Sequence, residues 1–174
     1  MRAKQVQLGE VEYAYSEGPG NGLVLVLMHG LSGNRHSWDP ILPYLIDHYK
    51  LYLIDHRGHG FSSHHPGNYH VDVMTDDAAR FIKEVVGESA FLLGHSMGGL
   101  IVRKAMSTRW HSHTQVQHLF TLASPNNGTR MAHLGVGDCA VDMLPNSDFL
   151  NELNVEDDAH RQKMSSVIAI PDAL

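Results

Sequence analysis

Gly94-His95-Ser96-Met97-Gly98 decides the reading of this chain, because of what stands on either side of it. Ahead lies Ser89-Ala90-Phe91-Leu92-Leu93, with the length and composition of a buried strand. Behind lies Gly99-Leu100-Ile101-Val102-Arg103-Lys104-Ala105-Met106, a run compatible with a helix. Strand, tight turn with glycine on both flanks, then helix is the setting in which G-x-S-x-G presents a serine nucleophile. A turn this sharp strains the backbone at the serine and leaves its neighbours no room for a Cβ. Ser96 is then lifted above the sheet edge at a helix N-terminus, where backbone N–H groups and the helix dipole favour a developing oxyanion. Gly94, His95 and Gly98 support that turn. The alternative is a glycine-rich turn with an incidental serine.

The bulk composition is compatible with this reading and excludes others. A chain of 174 residues suits one domain, 1–174, with a substantial core. Its formal net charge is −6, from 13 Lys plus Arg against 19 Asp plus Glu. With no basic stripe, nucleic acid is not an expected partner. The lone Cys139 makes no internal disulfide and reads as a small buried apolar side chain. The longest uninterrupted apolar run, 23–28, is far too short for a transmembrane segment, and the N-terminal residues are not followed by the long apolar segment expected of a signal peptide. A cytoplasmic protein is the default expectation.

Along the chain, 5–8 and 12–16 read as a strand hairpin broken at Gly9-Glu10. Leu23-Val24-Leu25-Val26-Leu27-Met28 shows no polar alternation, so it belongs in a sheet covered on both faces. A helix is predicted over 38–48, with Pro40 in its first turn, and a buried strand over 50–54. Met74, Ala78, Phe81, Ile82, Val85 and Val86 line one face of a helix over 74–86 that Gly87 stops. Strands follow at 118–122 and 166–170, with a short helix at 146–153 between them. Two opening strands followed by alternating helices and strands predict an α/β fold with a mainly parallel central sheet and helices on both faces.

Three further stretches matter. They are Met28-His29-Gly30-Leu31-Ser32-Gly33, Asp55-His56-Arg57-Gly58-His59-Gly60-Phe61-Ser62 and Leu122-Ala123-Ser124-Pro125-Asn126-Asn127-Gly128-Thr129. With the serine turn, they give the chain a clear resemblance to α/β-hydrolases of the lipase/esterase kind, from about residue 11 to the end. The second stretch is similar to the family's D-x-R-G-x-G-x-S loop, which braces the site. The third differs from lipases that carry His where Asn126 stands. The resemblance implies an oxyanion hole built from the N–H groups of Leu31 and Met97, with His29 and Gly30 in support. Relatives that cleave alkyl halides or epoxides carry Asp at the nucleophile position; Ser96 fits attack on a carbonyl instead.

The family order is serine, then acid, then histidine. Asp172, just past the 167–170 strand, is the candidate acid. No residue beyond Leu174 supplies the histidine, and the family's last strand and helix have no counterpart in this sequence. His160 satisfies the order as a substitute base, but Glu156-Asp157-Asp158-Ala159-His160-Arg161 reads as a solvated charged face. His95 is expected to point away from the reacting centre. His64, His65 and His70 are expected in an exposed polar loop. His111 and His113 form a bare H-x-H without the further ligands that zinc needs.

The resemblance therefore implies a serine hydrolase that cleaves carboxylic esters through an acyl-enzyme, with a small ester or lipid-like substrate and no metal or organic cofactor. The segment 126–165 is expected as a cap, its apolar residues facing either an acyl chain or the domain itself. Two alternatives stay open. One is an impaired, hydrolase-like binding protein; the other is thioester, acyl-transfer or C–C bond chemistry. If the last strand is absent, 167–170 becomes a sheet edge, which predicts self-association or a disordered C-terminus.

Overall fold

A computed structural model describes residues 1–20, 22–64, 67–108, 116–156 and 164–167. Its sheet has seven strands: β1 (Arg2–Leu8), β2 (Val11–Glu17), β3 (Leu23–Met28), β4 (Tyr49–Ile54), β5 (Ala90–His95), β6 (Val116–Leu122) and β7 (Met164–Val167). They lie side by side in the order β1-β2-β4-β3-β5-β6-β7. β2 runs antiparallel to both β1 and β4, and every other pairing is parallel. The expected mainly parallel α/β sheet is present, with β7 the outer strand among the described residues.

β3 occupies the centre, and its unbroken apolar run follows from that position. Val24, Val26 and Met28 face one layer, while Leu25 and Leu27 face the other. The first layer is completed by α2 (Val71–Phe81) and α3 (Met97–Thr108). In α3, Leu100, Ile101, Val102 and Ala105 are fully buried, each large side chain contributing about 2 kcal/mol of burial. Trp38, Leu51 and Leu53 form the second layer around Leu25 and Leu27.

The single helix expected over 38–48 does not form. A 3₁₀ helix, Arg35–Ile41, is followed by one α-turn, α1 (Leu42–Leu45). Pro40 and Pro43 supply no N–H, which rules out a continuous α-helical hydrogen-bond ladder. Asn34 caps the 3₁₀ helix by accepting the His36 N–H at 2.9 Å. The helix expected over 74–86 begins three residues earlier, at Val71, and ends in a π turn, Ile82–Val86. Gly87, at φ +69°, terminates it as expected. Met74, Ala78, Phe81, Ile82 and Val86 are all buried, as their spacing requires.

After β6 come a 3₁₀ helix, Arg130–Leu134, then α4 (Asp138–Asp142) and α5 (Asp148–Glu156). α5 lies close to the helix expected over 146–153. Buried Arg103 of α3 holds this region, donating to Asn126 Oδ1 at 2.8 Å and Asn154 Oδ1 at 2.9 Å. The expected strand over 166–170 begins earlier, at Met164, and its residues 168–170 lie outside the described set. Among the described residues, no helix is long and apolar enough to cross a membrane.

Candidate active site

Ser96 links the end of β5 to the start of α3 with φ at +52°, a left-handed conformation that non-glycine residues seldom adopt. Such a residue carries on the order of 1–3 kcal/mol of strain, which its surroundings must hold in place. Two backbone bonds do so. Ser96 N–H donates to Leu122 O at 2.9 Å, and Gly99 N–H donates to Ser96 O at 3.0 Å. A Cβ on Gly94 would collide with the Gly98 carbonyl, and one on Gly98 would collide with that of Met28. The glycines on both sides of Ser96 are thus steric requirements, as the sequence pattern predicts.

The 29–33 loop leaves the C-terminal end of β3 and passes directly over Ser96. A Cβ on Gly30 would lie 3.0 Å from the Cβ of Ser96. The Gly30 carbonyl accepts from Gly33 N–H at 2.9 Å and from His29 Nδ1 at 2.7 Å. Because the peptide is planar and trans, holding this oxygen directs the Leu31 N–H the opposite way. On the other side, Met97 begins α3, where the first N–H groups have no acceptor within the helix.

His29 is fully buried, and its ring is fixed at both nitrogens. Nε2 accepts the His56 N–H at 3.1 Å, so Nδ1 carries the proton and donates to Gly30 O. Burial pushes the His29 pKa down to about 4, keeping the ring in the neutral form that both bonds need. His56 packs against it with ring centroids 4.4 Å apart, and burial drives its pKa far below the usual value.

The 55–62 loop braces this arrangement. Buried Asp55 accepts the Arg35 N–H at 2.6 Å, pairs with the Arg35 guanidinium and accepts the Phe61 N–H at 3.0 Å. Ser62 Oγ donates to Asp55 O at 2.7 Å and accepts the Ala14 N–H at 2.9 Å. The ring of His59 contacts Arg57 O at 2.8 Å through Nδ1, and Leu31 O through Nε2.

Ser96 opens onto a cavity of about 460 Å³, lined by Gly30, Leu31, Ser32, Gly33, Ser37, Trp38, Ile41, His95 and Leu122. Leu31, Trp38, Ile41 and Leu122 make its wall largely apolar. His95 is among these lining residues. Its ring meets Trp38 edge-on, with centroids 6.4 Å apart, and burial lowers its pKa. The sequence reading missed Ser37, Trp38, Ile41 and Leu122 because they come from two distant stretches that only the parallel sheet brings together.

His70 is exposed as expected, and it also has a partner. Its Nδ1 lies 3.1 Å from Asp142 Oδ1, and the carboxylate hydrogen bond raises its pKa. Asp142 Oδ2 also accepts the Val71 N–H at 2.8 Å, and Asp138 accepts the Tyr69 N–H at 3.1 Å. α4 therefore caps α2, whose N-cap residue His70 makes no side-chain cap of its own. That absent cap was the available sequence signal.

Of the apolar residues expected to face an acyl chain or the domain, Met143, Phe149 and Leu150 pack into the core, with Leu144 against it. Met131, Leu134, Val136 and Val141 are exposed. None of these residues lines the Ser96 cavity. The candidate acid Asp172, the substitute base His160 and the His65, His111 and His113 positions lie outside the described residues.

Residues 24–167 match the alpha/beta hydrolase fold family. The chain belongs to that family. A 2-(acetamidomethylene)succinate hydrolase of Mesorhizobium japonicum is 29% identical over 96 residues, covering 55% of this chain and 34% of the relative. A pimeloyl-[acyl-carrier protein] methyl ester esterase of Aliivibrio salmonicida is 34% identical over 110 residues, covering 63% and 39%. Among solved structures, a bacterial membrane phospholipase A is similar with a TM-score of 0.66 and 26% identity, over 71% of this chain and 39% of that one. This alpha/beta hydrolase chain thus spans well under half the length of the curated relatives it matches.

Proposed function

We propose that this alpha/beta hydrolase chain carries the nucleophile and oxyanion hole of a serine hydrolase that cleaves carboxylic esters. The observation that carries this reading is Ser96 at φ +52° on the cavity, with Gly30 directly opposite. Ser96 Oγ attacks the ester carbonyl, and its proton passes to a base. The carbonyl oxygen becomes an oxyanion between the N–H groups of Leu31 and Met97, each worth on the order of a hundredfold or more in rate. Collapse expels the alcohol and leaves an acyl-serine, which water then hydrolyses. Asp172 is the acid that orients a histidine base, the one role to which no residue is assigned. The apolar wall of Leu31, Trp38, Ile41 and Leu122 suits an acyl chain. Of the expected cap, the described residues 126–156 approach the site at Gly135, where a Cβ would lie 3.3 Å from Leu31 Cδ2, beside the cavity rather than lining it.

A second reading, a hydrolase-like binding protein, is favoured by one observation. Among the described residues, no hydrogen bond joins Ser96 Oγ to an imidazole. Without its histidine a serine triad loses on the order of a millionfold in kcat. Fluorophosphonate labelling and p-nitrophenyl ester turnover, each compared with Ser96→Ala, separate the two. Ser96-dependent turnover supports the hydrolase, and equal, negligible signals support the binding protein. Acyl-CoA substrates, run in parallel, distinguish ester from thioester preference.

A further inference from the structure

We infer that His59 is a positioning residue for the oxyanion loop, tying the peptide that follows Leu31 to the rigid 55–62 loop. The inference rests on the proposed role of the Leu31 N–H. The Leu31 N–H lies in the peptide plane it shares with the Gly30 carbonyl, and that plane ends at the Leu31 Cα, where the next plane begins. His29 and Gly33 hold the first plane through the Gly30 carbonyl. The second plane, between Leu31 and Ser32, is held through the Leu31 carbonyl by His59 Nε2. With both planes clamped, the Leu31 backbone has no freedom to rotate. With the second released, the Leu31 Cα loses its anchor on that side, and the first plane, which pivots on that Cα and on flexible Gly30, tilts and carries its N–H with it.

His59 suits this task because its own backbone is fixed. Its N–H donates to His56 O at 3.0 Å, and its carbonyl accepts the Ser62 N–H at 3.1 Å. His29 lies against the ring at 5.1 Å between centroids, with His56 at 6.4 Å. An imidazole nitrogen binds a carbonyl only when it carries hydrogen. In the tautomer protonated at Nε2, the ring ties Leu31. The 55–62 motif places His59 in a bracing loop, and its contact with residue 31 arises where the loops after β3 and β4 converge.

The test uses two variants, His59→Phe, which keeps a planar ring without donors, and His59→Gln, which keeps an N–H donor. The Leu31 amide and carbonyl resonances are followed by NMR, and fluorophosphonate labelling is resolved into its binding and inactivation steps. His59→Phe should shift both Leu31 resonances and slow the inactivation step about tenfold, with binding unchanged. His59→Gln should recover part of each effect. Unchanged Leu31 resonances in His59→Phe, or equal losses in both variants, would overturn the assignment. If the wild-type chain does not label, the hydrolase reading fails, and the Leu31 resonances still decide the role of His59.

Discussion

Met28 and Gly98 meet through their backbones, the carbonyl oxygen of the first filling the space that a Cβ on the second would need. This contact seats the first turn of α3 on the end of β3 and so fixes the height of Ser96 above the sheet. Gly98→Ala forces backbone against backbone, where no flexible side chain can yield. The expected loss of stability is about 3 kcal/mol, the upper range for overpacking, and it should appear in urea unfolding.

Ser96 gives the opposite prediction. Its left-handed φ is a cost that glycine does not bear. Ser96→Gly should be more stable than Ser96→Ala by about 1 kcal/mol, although both remove the hydroxyl. Equal thermal midpoints for the two variants would mean that the turn is unstrained.

His29 predicts an acid sensitivity. Its folded pKa is about 4, below the unfolded value near 6.5. Above pH 6.5 the ring is neutral in both states and stability is complete. As pH falls below 6.5 the unfolded chain takes up the proton first, and stability declines until about pH 4. The contribution lost is on the order of 3 kcal/mol, measurable as the pH dependence of urea midpoints. His29→Asn should flatten that dependence while lowering stability at pH 7.

His70 behaves with the reverse sign. Its folded pKa is raised by Asp142, so its contribution is complete below the unfolded value near 6.5. That contribution is lost as pH rises through the folded value. Because the pair is half-exposed, the effect stays below about 1 kcal/mol. Hydrogen exchange at Val71, whose N–H donates to Asp142, should quicken over this range in the wild type. It should show no such step in His70→Asn.

The sequence could reveal what depends on local pattern. The run Leu23–Met28 is β3 residue for residue, and from Val24 onward it is buried, because a central strand covered on both faces admits only apolar side chains. Ser96 was legible for a similar reason, since its turn excludes all but glycine at fixed offsets. The segment 38–48 misled because its apolar spacing suits a helix, whereas two prolines deny the ladder. The cavity wall was hidden for another reason. Trp38 and Leu122 lie far apart in sequence, and so do Trp38 and His95, whose rings meet edge-on. The tautomer of His29 depends on the His56 N–H, a bond across 27 positions that no local pattern encodes.

The central claim is that Ser96 faces two N–H donors across a cavity open to substrate. Mass-spectrometric mapping of the site labelled by a fluorophosphonate measures this directly. The account predicts a single phosphonylated residue, Ser96, with labelling lost in Ser96→Ala and in denatured protein. A native chain left unmodified at Ser96, or labelled equally well after unfolding, would contradict it.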